Sequence, residues 1–482
     1  MKTIAIIGGG FTGTMAAVNI VRLANEPLRV VLVNDRHPLG RGVAYGTTQG
    51  EHLLNVAARN MSALPDHPEH FLNWLRTRVD YADIPDPQLR EMFVPRRVFG
   101  DYVRSLLFNY LEPVDGHHPA KIEVIEDEAT GIVETDGTVN VELRAGESFA
   151  ADRVLLATGN QPPAEIAGAA DLRDHQGYCA DPWSGWQDQL PDPTQDIVIL
   201  GSGLTMVDVF LTLSGMNWSG KIRCISRNGR IPHAHFRGID YPDFLPAEPE
   251  KVGLDGLVGL LEKHCQQLLR LGANPGIVVD RLRPHTQRIW QNFSIDEKRR
   301  FLAKHAARWN VVRHRIAQPV HQRLTESITD GSVQVVKGSV SGVRSKGEAV
   351  DVALRHADGS ESSLAGGLVI NCTGPRSGFA DTTVPLFRQL LDSGMLQADE
   401  LDMGIEVGPD FAVINGKGES SRVLFAIGPL MKGTLWESTA VPELRGQAKR
   451  AAEILARDEI AGVDGSDLRM SVESEHVVEY CI

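Results

Sequence analysis

Two short glycine-rich stretches carry the most specific chemistry in this chain. Gly8-x-Gly10-x-x-Gly13 follows the apolar run Thr3 to Ile7 and leads into a helical pattern through Met15 to Ala24. The first glycine makes a tight turn, the second lets a pyrophosphate approach the backbone, and the third lets helix and strand pack closely. The helix N-terminus adds N–H donors and the positive end of its dipole. Gly201-x-Gly203-x-x-Met206 repeats the pattern after Asp196 to Leu200 but lacks the third glycine. That loss weakens helix packing and leaves the phosphate cradle intact, so two dinucleotide sites are expected.

The residues after each following strand select the nucleotide. Asn34 and Asp35 end the strand Arg29 to Val33, where a ribose-gripping carboxylate usually stands, and either side chain can bond a 2′-hydroxyl. The second site instead has Ser226-Arg227-Asn-Gly-Arg230 at that point. Arg227, supported by Arg230, pairs with a 2′-phosphate and favours NADPH over NADH; a solvated basic turn is the plainer alternative. Ala157-Thr158-Gly159 and Cys372-Thr-Gly374 close two further strands. Two such sites in one chain are the arrangement of two-dinucleotide-binding flavoproteins, with FAD in the first and hydride delivered from the second.

Other reactive residues are less constrained. His233 and His235 form a His-x-His, but no third ligand lies at a metal-binding spacing, so no metal is expected. His235 and His314 are the candidate proton donors, against a surface or hinge role for each; no other catalytic residue is assigned. Arg313 and Arg315 flank His314 and are candidates to receive an anionic substrate or an NADPH phosphate, with helix-surface charge as the alternative. The cysteines (Cys179, Cys224, Cys265, Cys372, Cys481) are widely spaced and include no Cys-x-x-Cys. This pattern excludes a redox dithiol and a secreted disulfide framework, and buried reduced thiols are expected.

The elements that must position these groups are legible in outline. With 482 residues, the chain has room for about three domains, or two with large insertions. Lys and Arg total 49 against 62 Asp and Glu, a net charge of −13 that opposes nucleic-acid or anionic-membrane binding. No apolar run is long enough for a membrane helix and none reads as a signal peptide, so a cytoplasmic location is expected. Pattern predicts an α/β fold of two Rossmann-like dinucleotide-binding domains with a helical insertion. The first domain covers 1–165, the second 190–365 with the insertion at about 247–330, and 366–482 completes the first. Residues 40–99 read as irregular loops with short helices, 121–156 as an antiparallel meander rejoining the parent sheet, and about 440–456 as a C-terminal helix. The tail after Gly462 has no strong period.

Four further motifs carry a resemblance. Gly40-Arg-Gly-Val-Ala-Tyr-Gly46, Leu54 to Ser62, Phe93-Val-Pro-Arg-Arg97 with Gly100-Asp-Tyr102, and Ile427-Gly-Pro429 with Gly433 to Arg445 resemble the bacterial FAD-NAD(P)-binding family, which includes a FAD-dependent urate hydroxylase. The likeness spans nearly the whole chain. It implies that Gly8, Gly10 and Gly13 hold the FAD pyrophosphate, that Arg41, Asn55, Met61 and Ser62 line the flavin, and that Gly428, Glu437 and Thr439 close over its ring and ribityl chain. It also implies an NADPH- and oxygen-consuming monooxygenase acting on a small polar or heteroaromatic molecule, such as urate, through a flavin hydroperoxide. The Phe-x-Gly-x-x-x-His-x-x-x-Trp spacing of Baeyer–Villiger and N-hydroxylating flavoproteins is absent between the two sites, which weighs against those reactions. The alternatives are a reductase passing electrons to a small acceptor or partner protein, and a non-enzymatic nucleotide-sensing flavoprotein. Nothing in the sequence sets the oligomeric state.

Overall fold

The computed structural model describes residues 1–457 apart from 36, 112–118, 136, 237–240 and 377; Cys481 and the tail after Gly462 lie outside them. Its organisation is a duplication. The first half runs β1 (Lys2–Ile7), a helix (Phe11–Leu23), β2 (Leu28–Val33), a long excursion ending in the helix Arg96–Leu111, β3 (Ala120–Ile125), the hairpin strands β4 (Ala129–Thr135), β5 (Thr138–Leu143) and β6 (Ser148–Ala151), and β7 (Arg153–Leu156). The second half repeats this order. It runs from β8 (Tyr178–Cys179) to β9 (Ile197–Leu200), a helix (Leu204–Gly215) and β10 (Ile222–Ser226). A long helical excursion then leads to β11 (Val333–Lys337), β12 (Ser339–Lys346), β13 (Ala349–Arg355), β14 (Glu361–Gly366) and β15 (Leu368–Asn371). The chain finally returns to the first half with β16 (Ala412–Ile414), β17 (Ser420–Ala426) and the helix Val441–Leu455.

The first sheet has the order β16-β17-β7-β1-β2-β3 and the second β11-β10-β9-β15-β8, so β7-β1-β2-β3 and β15-β9-β10-β11 are the same motif twice. Apart from the antiparallel β16–β17 pair, their ladders are parallel. Parallel strands covered on both faces need continuous apolar runs, and Ile4-Ala-Ile6 and Ile197-Val-Ile-Leu200 are fully buried. The helix Phe11–Leu23 packs against the C-terminal helix Val441–Leu455, which closes one face of the first core. The expected antiparallel meander holds for β4-β5-β6. Lys121 to Ile125, however, is a parallel edge strand on β2, because alternation reports one buried face and not the direction of the neighbour.

Three expected boundaries shift. The second sheet takes β8, upstream of 190, and β15, downstream of 365, so Cys372-Thr-Gly374 closes the second half before the chain crosses back. The helix Gln318–Thr329 packs on β11 and on the helix Leu204–Gly215, so it is the crossover of the second half and not part of the insertion. The neck of the insertion is a parallel bridge between Ala234 and Ile316. Among the described residues no helix is long and apolar enough to cross a membrane. Cys179, Cys224 and Cys372 are buried thiols, whereas Cys265 is half-buried.

Candidate cofactor and substrate site

Each half builds its cradle with the same bonds. The amide of Gly8 donates to Val33 O and that of Gly201 to Ile225 O, both at 2.9 Å; Ala157 N donates to Ile7 O and Cys372 N to Leu200 O, also at 2.9 Å. The first glycine of each turn has a left-handed φ, +110° at Gly8 and +111° at Gly201, and a Cβ there would collide with the carbonyl of Ala157 or Cys372. The N-caps Gly10 and Gly203 have nearly the same extended backbone, and neither helix has a side-chain cap or an acidic residue in its first turn. The leading N–H groups of both helices therefore face the turn with no side-chain acceptor of their own, as an anion at that position requires. A Cβ at Gly13 would run into the carbonyl of Gly8. The second cradle tolerates Met206, which is buried in the core of its half.

The two cradles differ in what covers them. Gly40 donates to Gly9 O at 2.8 Å, and a Cβ on Gly10 would meet only the Cα of Gly42, at 3.6 Å, so the excursion after β2 folds back over the first turn. Among the described residues, nothing lies within 4 Å of where a Cβ on Gly203 would stand. Its neighbour Ser202 donates to Arg230 O at 2.6 Å, which ties the 226–230 turn to the cradle while Arg227 and Arg230 stay exposed. Neither guanidinium has an ion pair or side-chain hydrogen bond among the described residues.

Asn34 packs beside Gly9 and donates its amide to His37 O at 2.9 Å, which leaves its carbonyl oxygen as an acceptor at the cradle. Asp35 turns outward to Arg144 at 2.7 Å, so of the two candidates Asn34 is the one beside the turn. Gly428 has φ +82°, lies against Thr12 of the first helix and donates to Gln447 Oε1 at 2.9 Å; Ser438 donates to its carbonyl. Thr158 has a buried hydroxyl with no hydrogen-bond partner among the described residues, next to Gly159 at φ +75°. Arg41 is ion-paired to Asp101 on the helix Arg96–Leu111. Met61 and Ser62 are buried, and the Ser62 carbonyl accepts from Arg445 at 2.8 Å, which fixes this loop to the C-terminal helix.

Other expected site residues are placed differently. The Glu437 carboxylate is buried and faces the helical insertion, with Trp309 Nε1 at 3.1 Å and Arg313 at 3.4 Å, while Thr439 is exposed. Burial opposes the charge on Glu437, yet Arg313, His314 and Trp309 hold its pKa below the usual range. Burial and then Arg313 push His314 down to about 4 against the pull of Glu437, so its imidazole is neutral at pH 7. His235 stacks on Phe93 with ring centres 4.9 Å apart and its Nε2 lies 2.9 Å from Asn55 O, which pins the insertion neck to the first half. Arg315 is ion-paired with Asp280, both nearly fully buried, and Arg313 stands between Glu437 and Glu443. The two arginines expected to receive an anion are already neutralised from within.

Sequence pattern missed the group that joins the halves. Asp208, on the helix that starts at the second cradle, bonds Arg96 at 2.7 Å, and its carbonyl lies 2.9 Å from His52 Nε2. Arg96 also donates to Leu53 O at 3.0 Å. Beside this pair, Asn55 and Leu204 line one small cavity with Ile316 at the insertion neck. Asn55, Arg96 and the first residue of the second cradle's helix thus meet in one place, although they are far apart in sequence. An aspartate on an otherwise apolar helix was the available signal.

Comparison with known proteins fits this architecture. Residues 5–161 match the model of the FAD-NAD(P)-binding family. No curated protein sequence matches significantly. Among solved structures, the chain is similar to the reduced form of ornithine hydroxylase from Pseudomonas aeruginosa, at 15% identity over 94% of this chain and 98% of that one with a TM-score of 0.63. It is similar to ornithine N-hydroxylase from Kutzneria sp. 744, at 14% identity with the same coverage and a TM-score of 0.63. It is also similar to L-lysine 6-monooxygenase from Pseudomonas syringae, at 16% identity over 94% and 98% with a TM-score of 0.62. These likenesses establish a shared two-unit α/β fold.

Proposed function

We propose that this chain is a cytoplasmic, FAD-containing and NADPH-using monooxygenase that hydroxylates a small polar or heteroaromatic molecule. The observation that carries the reading is the pair of matching glycine cradles, the first roofed by its own excursion and the second open. A roofed cradle suits a resident dinucleotide and an open one suits a dinucleotide that comes and goes. FAD, when bound, supplies hydride acceptance from NADPH and the reduction of oxygen.

The chain's own residues do the rest. The amides of the Gly8–Gly13 turn bind the resident pyrophosphate, with Asn34 placed to accept from a ribose hydroxyl and Thr158 and Gly428 bordering the site. The Gly201–Gly203 turn binds the visiting pyrophosphate, and the exposed, unpaired Arg227 and Arg230 receive its 2′-phosphate. The Arg96–Asp208 pair keeps the two cradles in register, and the helical insertion, packed on residues 433–443, excludes water on that side.

Support for hydroxylation comes from the fold shared with three structures named for hydroxylating or monooxygenase activity on ornithine or lysine. The motif resemblance adds urate as a candidate. The test is stoichiometry. Purified yellow protein is mixed with NADPH and, in turn, urate, L-ornithine and L-lysine, and NADPH, oxygen and product are counted. Equal consumption of NADPH and oxygen with one hydroxylated product is expected. Turnover that continues without oxygen when an electron acceptor is supplied, and forms no hydroxylated product, makes the protein a reductase instead.

A further inference from the structure

The arginines that sequence order places around His314 are internally paired, and a different pair of cations is free. Arg376 lies on the linker after β15, and Lys432 lies on the segment after β17. Both line one cleft together with Gly159, Phe379 and Met403. Neither cation has an ion pair or a side-chain hydrogen bond among the described residues.

The nearby carboxylates are committed elsewhere. Glu437 faces Trp309 and Arg313, Asp402 accepts the Ala380 amide at 2.7 Å, and Asp399 accepts the amides of Leu401 and Met403. Two cations that line one cleft without an ion pair are costly to keep partly out of water unless an anion joins them. Burial accordingly lowers the Lys432 pKa, with Glu437 only partly opposing it.

Lys432 is also held in place. Its carbonyl accepts from Trp436 N at 2.8 Å, and its ammonium sits 5.6 Å from the centre of the Trp436 ring. Trp436 has φ +60° and ψ −64°, and Glu437 N donates to Leu435 O across it at 2.7 Å, a strained three-residue turn. Stacking of Trp436 on Trp290 at 5.0 Å maintains the strain. The cleft shares walls with the first cradle, since Gly159 follows Thr158 and its wall residue Pro429 follows Gly428.

We propose that Arg376 and Lys432 bind the anionic group of the substrate, a carboxylate or the deprotonated edge of a heterocycle, with Phe379 and Met403 against its apolar face. This rests on the monooxygenase reading for the word substrate, and on the cleft itself for the anion.

Calorimetric titration of the FAD-loaded protein tests it, with benzoate as the anionic probe and benzamide as its neutral counterpart. Wild type should bind benzoate at least about tenfold more tightly than benzamide. Arg376→Gln and Lys432→Met should each weaken benzoate by about tenfold, leave benzamide within a factor of about two, and keep flavin content and NADP⁺ affinity unchanged. Arg376→Lys should restore part of the loss. If Lys432→Met does not fold, the two Arg376 variants decide the matter. Equal binding of both probes, no saturable benzoate binding at millimolar concentration, or benzoate affinity unmoved in the variants overturns the proposal. Loss of NADP⁺ affinity in the variants also overturns it, because the cleft then holds a dinucleotide phosphate. Selective benzoate binding in a protein that never couples NADPH to hydroxylation would keep the subsite and remove the monooxygenase reading.

Discussion

In the first half of this molecule the chain between the second and third strands folds back onto its own glycine turn; in the second half the equivalent stretch goes elsewhere. Gly40 and Gly42 press on Gly9 and Gly10, and the third glycine, Gly13, has no room for a side chain. The insertion of the second half instead reaches across to residues 433–443 of the first, through Trp290 to Gly433 O, Trp309 to Glu437 and Arg283 to Glu443. Its own cradle is left open at Gly203 and accommodates Met206. One strand order with matching backbone bonds thus supports two different sites, and the difference lies in where the excursions are spent.

The largest expected effect separates the cradles directly. Gly13→Val should yield protein with less than about a tenth of the normal flavin and a lowered melting temperature, since a side chain there runs into the Gly8 carbonyl. Gly203→Val, where space is free, should keep its flavin and raise the KM for NADPH by about tenfold. Absorbance of the purified proteins and steady-state kinetics measure both, and equal flavin loss in the two variants would erase the distinction between resident and visiting sites.

The joint between the halves comes next. Asp208→Leu leaves Arg96 buried beside the apolar residues of the shared cavity, a change that costs about 3–5 kcal/mol, while adding Arg96→Met should recover most of it. Urea unfolding of the single and double variants measures this. A single variant within about 1 kcal/mol of wild type would mean that the Arg96–Asp208 pair adds little and that the other contacts hold the halves together.

The smallest effect concerns coenzyme choice at the open cradle. Arg227→Ala should raise the KM for NADPH by about tenfold and leave that for NADH alone, a loss of about 1.4 kcal/mol. Unchanged constants for both coenzymes would dismiss the 2′-phosphate assignment.

Much of the fold was legible because its signals are local. A glycine at positive φ pressed against a carbonyl, as at Gly8 and Gly201, cannot be replaced by another residue without strain, so the two turns announce themselves in the chain. Buried parallel strands require unbroken apolar runs, and such a run leads into each cradle. Edge strands and domain limits were less legible, as Lys121 to Ile125 and β15 illustrate, because alternation does not name the neighbouring strand.

The sequence by itself determined the two cradles, their order and the basic turn at Arg227. Tertiary structure decided which charges are spent and which remain available. Arg313 and Arg315 are cations in sequence but meet Glu437, Glu443 and Asp280 in space, whereas Arg376 and Lys432 meet no carboxylate as partner among the described residues. Backbone geometry at a turn depends on a residue and its immediate neighbours, while the pairing of these charges depends on segments 35 to 130 residues away, and only the folded chain brings those together.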